Sequence, residues 1–261
     1  MEVRAKKALG QHFLTDQGIA MTIVGSLEAG GVRNVLEIGP GMGVLTQYLL
    51  KRDDIDLKLV ELDGESVEYL LTHFPEMQGK LYEMDYLKLD VHLLFPGEYR
   101  VIGNFPYNIS SQIFFKILED KDRVTEVVCM IQKEVADRIA EKPGTKTYGI
   151  LSVLLQAWYD IDYIISVGSG AFCPPPKVQS AVIRLRRNGR SSLGCDERLF
   201  KMVVKTAFNQ RRKTLRNALK PLLTDAVDTN APVFDLRAER LSVEDFVALT
   251  NLISKGQNQN V

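Results

Sequence analysis

Asn104-Phe105-Pro106-Tyr107 sets a carboxamide, a proline-stiffened turn and an aromatic ring side by side in a chain of 261 residues. That combination suits chemistry on an amino group conjugated to a ring, such as N6 of adenine. The lone pair of such an amine is delocalised, so it attacks poorly unless its hydrogens are accepted as positive charge grows on nitrogen. The side-chain oxygen of Asn104 and the main-chain carbonyl of Phe105 can be the two acceptors, acting where charge develops. Tyr107 offers an aromatic face for a base drawn out of its stack. A neutral amide suffices, because alkylation makes the amine more acidic and its proton can leave to water. Taken alone, the same four residues also fit a polar turn at a strand end with a core tyrosine.

A second set of groups points to a nucleoside. Val35-Leu36-Glu37-Ile38 runs into Gly39-Pro40-Gly41-Met42-Gly43, and a second apolar run ends Leu59-Val60-Glu61-Leu62-Asp63. In doubly wound folds a glycine turn after the first strand lets a ligand approach the backbone. An acid at the end of the second strand can hold both hydroxyls of a ribose. A nicotinamide cofactor would bring a pyrophosphate to this turn, where the Glu37 carboxylate is unhelpful. Glu37 suits instead a ligand bearing an ammonium and a sulfonium. Asp85, in Glu83-Met84-Asp85-Tyr86, can accept from an adenine amino group. Glu37, Glu61 and Asp85 at successive strand ends therefore favour S-adenosylmethionine over a nicotinamide, with Gly39 and Gly41 beside it. Phe172, ahead of Pro174-Pro175-Pro176, is a candidate wall for the other face of a flipped base, or a cap over the sheet. Cys173 is not expected to be a covalent nucleophile, since an amine target needs no adduct and no base is placed to activate the thiol.

These groups need a scaffold that brings strand ends together. Apolar runs at 35–38, 58–61, 81–84, 100–102, 126–131, 161–167 and 178–185 alternate with segments of helical period at 45–50, 67–74, 113–118, 133–140 and 149–159. This is the pattern of an α/β fold with a mostly parallel sheet. No crossover helix fits between the last two strands, so they should pair antiparallel at the end of the sheet. After residue 188 the pattern turns all-helical, closing with a helix over 243–253 opened by Ser242. The expected domains are 1–188 and 193–261, with a frayed polar tail over 255–261.

Apolar residues make up 45% and charged residues 25% of the chain, which is ordinary for a globular protein. No run is long enough for a membrane helix, and residues 1–7 do not resemble a secretory signal. The three cysteines and three histidines are scattered, so neither a disulfide framework nor a metal site is expected, and a cytoplasmic location fits. Net charge is zero, yet between Arg184 and Lys220 the basic residues are opposed only by Asp196 and Glu197. Such a segregated patch can bind a phosphate backbone; read more plainly, it is a solvated helical face.

Gly10-Gln11-His12-Phe13-Leu14, residues 37–43, Val60-Glu61-Leu62-Asp63, Asn104-Phe105-Pro106-Tyr107-Asn108-Ile109-Ser110 and residues 172–180 resemble, in order, the ribosomal RNA adenine N6,N6-dimethyltransferases. Ala207-Phe208-Asn209-Gln210-Arg211-Arg212-Lys213-Thr214-Leu215-Arg216-Asn217 resembles the small-subunit branch. The macrolide-resistance branch, which modifies large-subunit RNA, shares the catalytic motifs without this basic segment. The resemblance spans almost the whole chain. It implies a class I, Rossmann-like methyltransferase with a seven-stranded, mostly parallel sheet whose last strand is antiparallel, plus a small helical C-terminal domain. It implies two methyl transfers to each of two adjacent adenines near the 3′ end of small-subunit RNA, within the immature subunit, by a protein expected to be a monomer. S-adenosylmethionine contacts are implied at His12, Leu14, Gly39, Glu61, Asp85 and Asn104, and RNA contacts at Arg211, Arg212, Lys213 and Arg216 on a basic helix. Two positions depart from the family: His12 stands where asparagine is frequent and Phe105 where leucine is frequent. Phe105 contributes its carbonyl, so little harm is expected from the change; the alternative is that the larger ring tightens the pocket for the second methyl. The rival readings are an RNA-binding assembly factor that retains the pocket without chemistry, and a nicotinamide-dependent oxidoreductase.

Overall fold

A computed structural model describes Val3, Ala5, Lys6 and residues 9–258. The elements in chain order are β1 (Phe13–Leu14), α1 (Gln17–Gly25), β2 (Asn34–Ile38), α2 (Thr46–Leu49), β3 (Asp56–Glu61), α3 (Gly64–His73), β4 (Leu81–Glu83), β5 (Tyr99–Asn104) and α4 (Ser110–Glu119). They continue with β6 (Val124–Gln132), α5 (Lys133–Ala140), α6 (Ile150–Gln156), β7 (Tyr159–Val167), β8 (Phe172–Cys173), β9 (Ser180–Arg187), α7 (Glu197–Asn209), α8 (Leu215–Ala218) and α9 (Val243–Asn258).

Seven strands form one sheet in the order β4-β3-β2-β5-β6-β9-β7, with β2, β3, β4, β5 and β6 parallel to one another and β9 antiparallel to β6. The antiparallel strand is thus not the edge: β9 inserts between β6 and β7. Strands β2, β5 and β6 are buried almost throughout, which explains why they read as continuous apolar runs rather than alternating ones. Helix starts follow from short polar caps. Asp63 accepts from the Glu65 N–H and begins α3 before the apolar period at Val67 does. Asp16 caps α1 through the Ile19 N–H, a helix that the apolar pattern does not announce.

The chain forms two compact units, Met1–Ala136 with Asp160–Arg187, and Asp137–Tyr159 with Asn188–Val261. The first unit holds the sheet and a core of Ile23, Leu49, Leu59, Ile102, Val128 and Val182. In the second, Tyr148 meets Phe208 edge-on at 6.1 Å and Phe208 lies 5.9 Å from Phe246, so the segment carrying α6 groups with the C-terminal helices rather than with the sheet. Ser242 and Asp245 exchange hydrogen bonds across the first turn of α9. That helix runs on to Asn258, past the expected end at 253 and through part of the segment expected to fray. Residues 1, 2, 4, 7 and 8, at the start where no secretory signal is read, and 259–261 of the expected tail lie outside the described residues.

Candidate active site

The sheet order turns back at the junction of β2 and β5: β3 and β4 continue to one side of β2, and β6 lies on the far side of β5. At such a switch point the connections leave in opposite directions and open a crevice beyond the strand ends. The cavity here is lined by the ends of β2, β3 and β5, by Met84–Leu87 after β4, and by residues 9–14 as a further wall. Every cofactor residue read from the sequence lines it: His12, Leu14, Glu37, Gly39, Gly41, Glu61, Asp85 and Asn104. Phe105, Pro106 and Tyr107 line it as well.

The glycine turn brings the chain close. Gly39, Gly41 and Gly43 all have positive φ, and a Cβ on Gly41 would come within 3.0 Å of the Phe13 ring. The Gly41 N–H donates to Glu61 Oε2 at 3.0 Å, while Glu61 Oε1 accepts from the N–H groups of Leu62 and Asp63 at 2.8 and 2.9 Å. Burial pushes the Glu61 carboxyl up, against the pull of these three donors. They orient both oxygens.

Glu37 is more isolated. It is 1% exposed; Thr46 Oγ1 donates to its Oε2 at 2.8 Å, and its Oε1 has no hydrogen-bond partner among the described residues. Burial, with the neighbouring charge of Glu61, pushes its carboxyl up to about 8, against the Thr46 bond. A buried carboxylate oxygen left open at a cavity is what a cationic ligand would satisfy. Asp85 accepts the Leu87 N–H at 2.9 Å, which fixes the turn after β4.

Asn104 ends β5 and its Nδ2 donates to the His12 carbonyl at 3.0 Å. With the nitrogen committed, Oδ1 is the atom left to accept from a ligand. The Phe105 ring is 1% exposed and packs edge-on against Phe114 at 5.9 Å. The core thus takes up the Phe105 ring, while the residue also lines the cavity. The Tyr107 hydroxyl bonds to Ser180 Oγ, and its ring stacks against His12 with centroids 5.4 Å apart.

The residues 9–14 wall is tied down from several sides. Lys6 pairs with Asp63, and the Gln11 Nε2 donates to Asp63 Oδ2 at 3.1 Å. Burial would raise the Asp63 carboxyl, but Lys6, Gln11 and Ser66 hold it below the usual carboxylate range. Strand β1 pairs antiparallel with β8, setting Leu14 opposite Phe172. This pairing places Phe172 beside Leu14, behind the cavity wall. It is 4% exposed, belongs to the core with Leu14, Val167 and Val182, and is not among the residues lining the cavity. Its ring packs where a cap over the sheet would.

The four basic residues expected to contact RNA lie in the second unit. Arg211, Arg212 and Lys213 do not sit on a helix, which corrects the expectation of a basic helix. Helix α7 ends at Asn209, and the Arg211 and Lys213 N–H groups turn back to Phe208 and Gln210. Helix α8 then starts after Thr214, anchored where the Leu215 N–H meets the Leu236 carbonyl. Arg216 lies on α8 and pairs with Asp235 at 2.7 Å. Among the described residues no His, Cys, Asp or Glu group is arranged to hold a metal, and no helix is long and apolar enough to cross a membrane.

Reading the sequence did not single out Thr46, Lys6, Asp63 or Ser180 as site residues. Thr46 had a signal, a hydroxyl in the helix following the glycine turn; the others act across long separations that no local pattern reveals.

Compared with known families, residues 2–255 match the family described as ribosomal RNA adenine dimethylase. Two similar proteins are both called ribosomal RNA small subunit methyltransferase A. The one from Parabacteroides distasonis is 59% identical over 97% of this chain and 95% of its own length. The one from Cytophaga hutchinsonii is 56% identical over 97% and 98%. Among solved structures, a dimethyladenosine transferase from Plasmodium falciparum superposes with a TM-score of 0.80 at 24% identity, covering 94% of this chain and 98% of that one. The 23S rRNA methyltransferase ErmE superposes with a TM-score of 0.69 at 21% identity, covering 93% and 99%. These two share the fold.

Proposed function

The chain belongs to the ribosomal RNA adenine dimethylase family, and from that premise we propose that it methylates N6 of two adjacent adenines in the 3′-terminal hairpin of small-subunit ribosomal RNA, twice each, within the immature subunit. The observation that carries this reading is the orientation of Asn104. Its nitrogen is spent on the His12 carbonyl, so its oxygen is the acceptor beside a cavity lined by carboxylates.

S-adenosylmethionine supplies, when bound, an electrophilic methyl group carried on a sulfonium. The residues present fit it: Glu37 Oε1 is a buried acceptor without a partner among the described residues, suited to cationic groups, and the glycine turn leaves room for close approach. Glu61 accepts from the ribose hydroxyls, its own geometry fixed by three backbone donors. Asp85 accepts from the adenine amino group, and His12 and Leu14 close the wall. Asn104 Oδ1 and the Phe105 carbonyl accept the two hydrogens of the target amine and hold it for in-line attack. As the nitrogen becomes positive these two acceptors strengthen, and one proton then passes to water. Pro106 keeps the Phe105 carbonyl in place, and Tyr107 stacks the flipped base. Phe172, buried opposite Leu14, is the candidate that backs the wall on the far side of the base.

Within residues 1–188 the sheet-bearing unit acts as the methyltransferase domain, and residues 193–261, joined by 137–159, act as the helical RNA-binding domain of a monomer. Arg211, Arg212, Lys213 and Arg216 contact RNA phosphates.

The test uses labelled S-adenosylmethionine and immature small subunits from cells lacking the enzyme, with the modified nucleotides mapped afterwards. Wild-type protein should deliver two methyl groups to each of two neighbouring adenines. Asn104→Ala should lower the rate by about 10²–10³-fold, the cost of removing one preorganised acceptor, and lower cofactor affinity far less. No incorporation by wild type, or equal losses of rate and cofactor binding in the variant, would overturn the proposal.

A further inference from the structure

Tyr107 is held more firmly than base stacking by itself demands. A tyrosine ring attached only through Cβ swings about two torsions, and freezing such a side chain on binding costs free energy. Here the far end of the ring is fixed: its hydroxyl bonds to Ser180 Oγ, and Ser180 is 0% exposed at the start of β9, in register with Gln132 of β6. Burial raises the Tyr107 phenol, against the Ser180 bond, so the ring keeps its proton. One face is also backed. The His12 ring stacks on it at 5.4 Å and 29°, and His12 Nδ1 lies 2.9 Å from the Pro174 carbonyl. A carbonyl only accepts, so Nδ1 carries the proton of that bond, which sets the tautomer and the tilt of the ring.

Resting on the reading that Tyr107 stacks the flipped adenine, we propose that Ser180 is a positioning residue for methyl transfer: its buried hydroxyl pins the tip of Tyr107 while His12 covers one ring face, so the opposite face alone is presented to the base. Both anchors come from segments remote from the Asn104–Tyr107 motif, the residues 9–14 wall and β9. The base then meets a surface already fixed, and little ordering remains when it arrives.

A double-mutant cycle read in methyl transfer to immature small subunits, with cofactor affinity measured by calorimetry, tests this. Ser180→Ala should lower kcat/KM for the RNA about fivefold (~1 kcal/mol), the worth of one ordinary hydrogen bond, and leave the affinity for S-adenosylmethionine unchanged. Tyr107→Phe removes the same bond from the ring end and should cost about the same. The double variant should be no worse than either single one, and Ser180→Thr should restore activity. Full activity in Ser180→Ala, losses that multiply in the double variant, or cofactor affinity falling in step with rate would each overturn the inference. If Ser180→Ala fails to fold, Tyr107→Phe and Ser180→Thr still decide it: the first must lose activity and the second must keep it. A wild-type protein that transfers no methyl group overturns the functional reading and this inference together, whereas an active wild type with unaffected variants overturns the inference alone.

Discussion

At the scale of single residues, the site depends on groups whose polar needs are half met. Glu37 is the clearest: one oxygen is satisfied by Thr46, the other by none of the described residues, and its carboxyl is raised to about 8 mainly by burial. At pH 7 the free protein therefore holds a proton there that a bound cation would displace. Binding of S-adenosylmethionine between about pH 5 and 8 should release a proton, and affinity should rise with pH until Glu37 ionises unaided. Calorimetry in buffers of different ionisation enthalpy measures this directly, and Glu37→Gln should abolish both effects. Proton uptake, or release that persists in the variant, would show that another group titrates. Much at this scale was legible in the sequence. The cavity residues lie in short runs at strand ends, where backbone geometry and side-chain chemistry are set within a few positions. Phe172 was not legible in this way: a ring beside prolines can face a ligand or the core, and only its strand pairing with Leu14 decides.

At the scale of elements, α4 links the two halves of the site. It starts just after Asn104–Ile109, and its Lys116 reaches across to the turn that carries Asp85. The Lys116 ammonium donates to the carbonyls of Tyr86 and Leu89 and lies 4.8 Å from the centre of the Tyr86 ring. Lys116→Met should release this turn and weaken S-adenosylmethionine binding about tenfold, leaving kcat at saturating cofactor nearly unchanged. A fall in kcat with intact affinity would place Lys116 on the acceptor side instead. The buried parallel strands were readable as continuous apolar runs and the amphipathic helices by their period. Strands β1 and β8, two residues each, carry no period at all. The basic segment was misjudged for a related reason: the apolar spacing of α7 resumes in α8, and nothing in that spacing shows the turn between them.

At the scale of the whole molecule, a chain of zero net charge carries its cations in a segregated stretch. In the second unit Arg211, Arg212 and Lys213 are on a turn and form no salt bridge among the described residues, whereas Arg216 is neutralised by Asp235. Replacing the first three by alanine should flatten the dependence of log K on log salt by roughly 2.1–2.7, at about 0.7–0.9 for each phosphate left without its cation. Arg216→Ala should change the slope less than Arg212→Ala. An unaltered slope in the triple variant would remove this turn from the RNA interface.

Strand order has a further consequence for biosynthesis. Strand β7 leaves the ribosome before β9, yet its place in the sheet lies on the far side of β9. The wall over the cavity likewise waits, because β1 pairs with β8, which is made long after it. A nascent chain that stops short of Arg187 thus has an unpaired strand and an open pocket. The sheet and the wall over the cavity are therefore complete only once nearly all of the sheet-bearing unit has been translated.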